Sequence, residues 1–396
     1  MPEIKSNIWK NYLLLVMQGF WFVLPIFIFY FNSFGLSPYE IGTLESAFTA
    51  FFFLFTIPCG AFSDLISRKL SILLGTVLTS ISMIIIGLGS SYPIFFLGNV
   101  IWAVGDGFSY NARGAMMYDS VKQIGLEKEY LKISGRANLF SVAPLILSGV
   151  LGPIMFSISI RSPWLVMGLL WIFSIPIILY LVEPPKDSSN RSFKIYLNKI
   201  KDGFIFIMKA KYVFWIMMFS VTMAIPLSFF NEVISQLYYL EIGYSINHFS
   251  IIFPVIYGVA SIVASQSHRI EKFLGEKGSF LFIILCHSLG VMIMGLLNTP
   301  LVIIIIIITY ISRDFKWVFV DNYINKHAES KIRATVLSII SMAASLVLIF
   351  VYLIGGFLTV AVGMFQTLFM MGLFVVLCSI ILLLTKPKNA KEVKDK

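Results

Sequence analysis

Charged side chains interrupt several long apolar stretches of this sequence, and their placement indicates chemistry carried out away from water. Asp106 lies near the middle of the apolar block 93–118, and Arg113 follows it seven residues later. In a helix these two residues share one face, about two turns apart. A carboxylate held away from water is suited to carry a proton, because its charged form is poorly solvated there. An Asp–Arg pair with a purely structural role is the alternative, and the residues alone leave both open.

Two glutamates occupy comparable apolar blocks. Glu45 lies in the second block and Glu232 in the seventh, each in the part predicted to be near the outer face. Ionisable residues at such depth normally face a cavity or a partner. Each glutamate could therefore be a substrate contact, a proton site or part of an outer gate.

The tenth apolar block contains Arg313, Asp314 and Lys316. Adjacent residues of a helix point about 100° apart. We therefore expect Arg313 and Asp314 to face different neighbours, one a cavity and the other a helix. Together with Arg113, the cations Arg313 and Lys316 could instead neutralise a negatively charged solute.

A second group of charges lies in a short loop between two apolar blocks. Gly60 and Asp64 are followed by the basic pair Arg68–Lys69. Glycine permits a closely packed turn, and the carboxylate and cations concentrate charge in a loop too short to be a flexible tail.

The two halves of the chain echo each other. Arg136 enters the fifth block within Gly-Arg-Ala-Asn-Leu-Phe-Ser, and Arg333 enters the eleventh within Ile-Arg-Ala-Thr-Val-Leu-Ser. Asp119 closes the fourth block, as Asp321 does near the end of the tenth. Duplication of a six-helix unit accounts for these matches.

The composition identifies the elements that position these residues. Of the 396 residues, 58% are hydrophobic and 13% are charged, and the mean hydropathy is +0.88. Soluble domains have about 25% charged residues. A soluble enzyme, a disordered protein and a secreted disulfide scaffold are therefore excluded. The three cysteines have no CxxC spacing or histidine partners, and the basic residues form no nucleic-acid-binding module, so no metal, cofactor or nucleic acid is expected.

The apolar residues form twelve blocks, each with the roughly 20 residues that a membrane-spanning helix needs. They lie near 11–34, 41–62, 70–89, 93–118, 135–158, 163–182, 212–240, 247–266, 278–298, 300–325, 334–358 and 363–384. The strict alternation of a membrane β-barrel is not seen. We predict an all-α membrane protein with twelve transmembrane helices in two pseudo-symmetric six-helix bundles.

The basic residues predict the orientation. If the N-terminus is cytoplasmic, Arg161 is the one Lys or Arg in the external turns, whereas 26 of the 30 fall in cytoplasmic segments. This bias predicts a multi-pass protein of the cell membrane with both termini in the cytoplasm. The predicted divisions are a bundle over 1–182, a cytoplasmic linker over 183–211, a second bundle over 212–385 and a tail over 386–396.

The loop from Gly60 to Lys69 resembles the signature of the major facilitator superfamily, which is a glycine, an aspartate and then a basic pair. It departs from that signature at Leu65, where a basic residue is usual, and at Ser67, where a glycine is usual. A weaker second copy occupies 267–275. The resemblance covers the whole chain and implies the twelve-helix fold.

The resemblance also implies a cytoplasmic gate. Asp64 would meet the start of the eleventh helix around Arg333, where a helix N-terminus favours negative charge. Arg68 would meet Asp119, with Arg136 nearby. Charges that merely mark loops and fix topology are the alternative.

Gly152–Pro153 in the fifth block matches part of a glycine-rich segment found in the family's antiporters, but Phe156 and Ser157 replace later glycines. This segment hints at export, although a plain helix-packing role is equally compatible with it.

We predict a transporter and not an enzyme. The chain would move a small molecule across the lipid bilayer by alternating access, as proton-coupled efflux of an amphipathic compound, and would act as a monomer. Proton-coupled uptake of a small organic solute or anion is the alternative. No phosphate-binding glycine loop is present, which argues against direct drive by ATP. A membrane enzyme would need clustered histidines and carboxylates, and a transport fold repurposed as a receptor would bind its ligand without moving it.

Overall fold

The computed structural model describes residues 2–185, 193–328 and 333–387, and throughout these residues the regular structure is helical, without β-strands. An apolar sequence of this kind predicts such a structure, because a backbone surrounded by lipid must satisfy its own N–H and C=O groups. The prediction of an all-α fold is confirmed.

The helices follow one another with short connections. They are α1 (Pro2–Gln18), α2 (Phe27–Asn32), α3 (Pro38–Leu65), α4 (Arg68–Leu88), α5 (Tyr92–Gln123), α6 (Tyr130–Ile158), α7 (Ser162–Leu179), α8 (Phe193–Lys209), α9 (Lys211–Phe229), α10 (Ser235–Glu241), α11 (Ile246–Ala264), α12 (Ser267–Ile284), α13 (Gly290–Met294), α14 (Ile303–His327), α15 (Arg333–Val362) and α16 (Met364–Leu384). A π-helical turn, Phe230–Ile234, joins α9 to α10, and another, Leu285–Leu289, joins α12 to α13.

Within the described residues, nine helical segments are long and apolar enough to cross a membrane. They are Pro38–Leu65, Arg68–Leu88, Lys132–Ile158, Ser162–Leu179, Lys211–Glu241, Ile246–Ala264, Ser267–Met294, Thr335–Val362 and Met364–Leu384. The remaining three predicted blocks are also helical. The first is broken between α1 and α2, and α5 and α14 carry the charged residues singled out above. All twelve predicted blocks therefore contain helix.

The chain divides into two compact units. Unit 1 comprises Met1–Leu36, Ala47–Phe193 and Ile246–Ile251. Unit 2 comprises Ser37–Ser46, Lys194–Ser245 and Ile252–Lys396. The boundaries predicted from the sequence, at 182, 211 and 385, stay a prediction.

Small residues bring α4 and α5 of unit 1 into close contact. A Cβ atom added to Gly75 would lie 2.0 Å from Ser109 Oγ, and one added to Gly105 would lie 2.7 Å from Thr79 Oγ1. Small residues of this kind allow helix backbones to approach each other in a membrane. This contact fixes α5, the helix that carries Asp106.

A second packing region of unit 1 consists of aromatic rings from α2, α5 and α7. Trp164 is fully buried, and its ring lies 5.6 Å from that of Tyr30 and 6.0 Å from that of Phe31. Phe31 in turn contacts Phe95 edge to face at 5.1 Å. The broken first span is thereby packed against α5 and α7.

Unit 2 has its own aromatic core. Phe280 contacts Trp215, Phe219 and Phe319 edge to face, at centroid distances of 4.8, 4.9 and 4.9 Å. These rings come from α9, α12 and α14, so they hold three helices together, and α14 carries Arg313, Asp314 and Lys316.

The predicted linker contains a helix. Residues 193–209 form α8, in which Ile207 is fully buried and Gly203 lies close to Thr335 of α15. Residues 186–192 lie outside the described part of the chain. The linker is hydrophilic by composition, but one face of α8 is packed within unit 2.

Candidate functional site

In unit 1, the charged loop between α3 and α4 is held by hydrogen bonds and ion pairs to the neighbouring helices. Ser67 caps α4 by accepting a hydrogen bond from the Leu70 N–H at 3.0 Å. Arg68 lies 3.8 Å from Asp64 and forms an ion pair with Asp119 near the C-terminal end of α5. Sequence reasoning placed Arg68 beside Asp119, and the structure brings them together.

Further contacts join this loop to the last residue of α7 and to α5. Lys69 Nζ donates to the Leu179 carbonyl at 2.5 Å, and the Arg68 guanidinium also donates to the Ala115 carbonyl at 3.0 Å. Gly60 is buried in α3, one turn before Asp64. The loop is therefore held by α5 and by the end of α7.

A carboxylate that the sequence analysis missed lies at the centre of these contacts. Glu183 accepts hydrogen bonds from the backbone N–H groups of Arg68 and Lys69, both at 2.8 Å, and from the Ser67 hydroxyl at 2.8 Å. A carboxylate at a helix N-terminus satisfies orphan N–H groups and interacts favourably with the helix dipole. Its signal in the sequence was a single acidic residue directly before Pro184 and Pro185.

Arg136 and Arg333, which occupy matching positions in the two halves of the sequence, have different surroundings. Arg136 is exposed on α6. Arg333, in unit 2, donates to the carbonyls of Asn325 and Ala328 at 3.0 and 3.4 Å, at the C-terminal end of α14. A cation at the end of a helix interacts favourably with its last carbonyls. The docking of Asp64 near Arg333 stays a prediction.

The two charged residues predicted within an apolar block of unit 1, Asp106 and Arg113, both lie on α5. Asp106 and Arg113 are partly buried and interact electrostatically, but no ion pair within 4 Å joins them among the described contacts. The indole N–H of Trp102 lies near Asp106 without forming a hydrogen bond of regular geometry. The Arg113 guanidinium stacks over the Trp171 ring at 5.3 Å.

Arg113 also lines a small cavity, whose other polar residues are Asn7, Asn11 and Ser120. The cavity has room for about one water molecule. The buried Nε and Nη2 atoms of Arg113 have no hydrogen-bond partner within the described residues. Asp106 and Arg113 therefore do not form a direct ion pair among the described contacts, and the Arg113 guanidinium has N–H donors available to bind another group.

The charges of α14 lie within unit 2. Arg313 and Asp314 contact each other although their Cβ directions differ by about 100°, since Nε and Nη2 of Arg313 both lie 2.8 Å from Asp314 Oδ1. The long arginine side chain bends back along the helix and spans the angle between the two Cβ directions. Whether either residue faces a cavity stays a prediction.

Tyrosines surround Arg313. The guanidinium lies over the rings of Tyr310 at 4.5 Å and Tyr257 at 5.4 Å. The Tyr310 hydroxyl donates a hydrogen bond to Asn231, which adjoins Glu232 in the π-helical turn. Such turns are frequent at functional sites. Because 15% of all residues are aromatic, the sequence did not distinguish the two tyrosines around Arg313 from the others.

Lys316 is nearly fully buried in unit 2. Its ammonium lies 5.1 Å from the ring of Trp317. The fully buried His287 lies close enough to Lys316 to feel its charge, and its Nδ1 is within 3.2 Å of Ser312 Oγ. Lys316 therefore belongs to the packed interior of this unit.

Glu45 and Glu232 both lie in unit 2. Glu45 is 7% exposed, whereas Glu232 is exposed, and the two carboxylates interact electrostatically. Glu232 also feels the charge of Arg313. Of these four residues, which sequence reasoning singled out one by one, the structure joins Arg313 and Asp314 by direct contact, and Glu45 and Glu232 lie within range of neighbouring charges.

Comparison with known proteins agrees with this architecture. The Major Facilitator Superfamily profile matches residues 12–315. The quinolone resistance protein NorA of Staphylococcus aureus is 24% identical over 180 residues, which are 46% of this chain and 45% of that protein. The matched region is thus less than half of the relative's length.

Solved structures resemble the chain over nearly its full length. The nucleoside transporter NupG superposes with a TM-score of 0.80 at 14% identity, covering 98% of this chain and 100% of that one. A D-xylose-proton symporter superposes with a TM-score of 0.75 at 13% identity, covering 98% and 100%. At these identities the likeness concerns the fold.

Proposed function

Because this chain belongs to the major facilitator superfamily, we propose that it is a secondary transporter that exports a small amphipathic compound in exchange for protons. The observation that carries the proposal is the set of membrane-embedded carboxylates, Asp106 in unit 1 and Glu45, Glu232 and Asp314 in unit 2. Carboxylates at this depth are expensive to keep charged and typically mark proton or ion pathways.

The proton-carrying role is best supported for groups that lack a permanent partner. Asp314 has a close cation in Arg313, whereas Asp106 has none within ion-pair distance among its described contacts. A group that is not locked in an ion pair can lose and regain a proton during a transport cycle. Asp106 is therefore the first choice in unit 1.

Two observations favour export. The relative NorA is named for quinolone resistance, which fits removal of a compound from the cell. In α6, a Cβ atom on Gly152 would lie 2.1 Å from the Phe22 carbonyl oxygen, so this glycine permits close contact with the broken first span. The partial antiporter segment thus lies at a helix contact where glycine is required.

Uptake of an anion or polar solute is the second candidate. It is favoured by the Arg113 guanidinium, whose Nε and Nη2 donors lack a described partner beside a small cavity. Such donors bind carboxylate or phosphate groups well. The structural similarity to a nucleoside transporter and a xylose symporter is compatible with either direction.

The gate is proposed at the α3–α4 loop. Arg68 joins Asp64 to Asp119, and Glu183 fixes the start of α4, so the cytoplasmic ends of α3, α4 and α5 move as one body. We place this loop, both termini and α8 on the cytoplasmic side of the cell membrane and treat the protein as a monomer.

The proposal is tested with purified protein in liposomes and a fluorescent lipophilic dye. An imposed pH gradient should drive accumulation of the dye, and Asp106→Asn should abolish this effect. Asp202→Asn is the matched control, because Asp202 is exposed on α8. Gradient-driven accumulation that is unchanged in Asp106→Asn would remove Asp106 from the mechanism, and binding without any movement would favour a receptor.

A further inference from the structure

The helix α8 ends where a transmembrane helix of unit 2 begins. Its last residue, Lys209, is separated only by Ala210 from α9, which starts the apolar span Lys211–Glu241. Ala210 has a non-helical backbone, with φ −85° and ψ 83°, so α8 and α9 are two helices and not one continuous rod. The C-terminal end of α8 therefore lies at the depth where this span enters the bilayer.

A second contact places α8 at the same depth. A Cβ atom on Gly203 would lie 2.7 Å from Thr335 Cγ2 and 2.9 Å from Ile339 Cδ1 of α15. Thr335 is the first residue of another apolar span, Thr335–Val362. Ile207, one turn after Gly203, is fully buried in the core of unit 2. Because α8 contacts the beginning of two separate spans, it lies at the boundary between lipid and water.

The side of α8 that is turned away from α15 is apolar. Phe204, Ile205 and Met208 are 54%, 36% and 53% exposed. At about 100° per residue, these three side chains fall within an arc of about 100°, on the other side of the helix from Gly203 and Ile207. Large apolar side chains gathered on one exposed face mark a contact site, since leaving them in water is unfavourable.

Polar side chains occupy a third side of α8. Asn198, Asp202 and Lys209 are exposed and fall within about 40° of one another around the helix axis. This polar arc borders the apolar arc at Ile205. The helix thus has one side packed on α15, one exposed apolar side and one exposed polar side. A helix that lies in the plane of the membrane, between protein, lipid and water, requires these three sides.

The charge of α8 indicates which lipids it binds. Lys201 lies within the apolar arc and Lys209 follows Met208, and both lysines are exposed. A lysine can lay its methylene groups along an apolar surface and extend its ammonium group to the lipid headgroups. The sequence of α8 contains four lysines and one aspartate. A second copy of this chain would bring the same positive charge, so charge complementarity favours an anionic phospholipid over self-association.

We propose that α8 is a lipid-binding helix in the membrane interface. Phe204, Ile205 and Met208 lie among the acyl chains, and Lys201 and Lys209 bind the phosphate groups of anionic phospholipids. The predicted hydrophilic linker is then anchored to the bilayer as well as to α15. The inference goes beyond the proposed transport function and requires neither a particular transported compound nor proton coupling.

The depth of α8 is measured with the full chain in lipid vesicles. The three native cysteines are replaced by serine, and a fluorophore is attached to Phe204→Cys, Met208→Cys or Asp202→Cys. Quenching by lipids that are brominated in the acyl chain is compared with quenching by iodide in the water. The labels that replace Phe204 and Met208 should be quenched by the lipids and protected from iodide. The label that replaces Asp202, on the polar side, should show the reverse.

The preference for anionic headgroups is measured with the label that replaces Met208. A trace of brominated phosphatidylglycerol should quench this label about fivefold more effectively than brominated phosphatidylcholine, because a lysine near an anionic membrane surface contributes about that factor. The double change Lys201→Gln and Lys209→Gln should make the two lipids nearly equal. The matched control, Lys122→Gln with Lys128→Gln, removes the same charge at exposed positions of unit 1 and should keep the preference.

Three outcomes overturn the inference. The first is iodide quenching at Phe204 and Met208 that equals the quenching at Asp202, and the second is equal quenching by the two lipids in the parent protein. The third is protection that disappears when the protein is diluted in lipid, which would assign the apolar side to a second copy of the chain. Two label positions on the apolar side guard against a local disturbance by one cysteine. None of these outcomes affects the proposed transport function, and failure of transport would leave the quenching pattern unchanged.

Discussion

At the scale of single residues, a few polar groups with several partners each hold the proposed sites in place. Glu183 is an example, because it accepts three hydrogen bonds at 2.8 Å from the start of α4. Arg313 is another, since it combines an ion pair with two ring contacts. Such groups are expected to tolerate substitution poorly even when charge or size is kept.

We expect Glu183→Ala to destabilise unit 1 by about 1–3 kcal/mol, because it leaves two backbone N–H groups and the Ser67 hydroxyl without their acceptor. The midpoint of thermal unfolding in detergent measures this loss. Glu129→Ala, at an exposed glutamate of the same unit, should leave the midpoint within error. Equal midpoints for the two variants would show that the Glu183 contacts contribute little.

Arg313→Lys should lower the transport rate on the order of tenfold, although it keeps the positive charge. A lysine ammonium cannot place two donors on Asp314 and at the same time lie flat between Tyr257 and Tyr310. Initial rates of transport in liposomes measure the effect. Arg269→Lys is the control, because Arg269 is exposed on α12. A rate equal to that of the parent protein would mean that only the charge matters.

Sequence reasoning reached part of this picture. Arg68 and Asp119 were placed together because the signature loop fixes which helices must meet. Glu183 was missed because its role depends on where the end of α7 lies relative to the start of α4, which no local pattern records. The contact between Arg313 and Asp314 was not predicted, because Cβ directions say little about the reach of a side chain as long as arginine.

At the scale of helices, glycine decides which pairs of helices come into backbone contact. The α4–α5 contact through Gly75 and Gly105 positions Asp106, and the α3–α15 contact through Gly42 and Gly356 positions Glu45. The twelve helical blocks were predictable from apolar length alone. Which glycines lie at helix contacts could not be predicted, because the sequence does not distinguish a glycine at a helix contact from one that faces lipid.

Gly75→Ala should destabilise the protein by about 1–3 kcal/mol, because the added methyl group would lie 2.0 Å from Ser109 Oγ and 2.6 Å from the Gly105 carbonyl oxygen. Gly114→Ala in α5 is the matched control, since nothing lies within 4 Å of its added Cβ atom. It should be neutral or slightly stabilising, because alanine favours helix over glycine. Thermal unfolding in detergent compares the two, and similar losses would contradict the packing argument.

At the scale of the whole molecule, the proposed topology is a multi-pass chain with both termini in the cytoplasm. A cysteine at the exposed Lys5 should react with a membrane-impermeant thiol reagent only after the cell membrane is opened. A cysteine at the exposed Ser159, in the turn between α6 and α7, should react in intact cells. Reaction of both sites in intact cells would contradict the predicted topology. As a control, the labelling is repeated in a variant in which the native cysteines are replaced, and an identical result excludes interference by the native cysteines.

The proposed exchange of compound for proton is tested most directly by the pH inside liposomes that contain the purified protein. The liposomes are loaded with an amphipathic compound and a pH-sensitive dye, with equal pH on both sides at the start. As the compound leaves down its gradient, exchange predicts that protons enter and the lumen becomes more acidic. A lumen that becomes more alkaline would show that compound and proton move together, and a constant pH during measured efflux would contradict proton coupling.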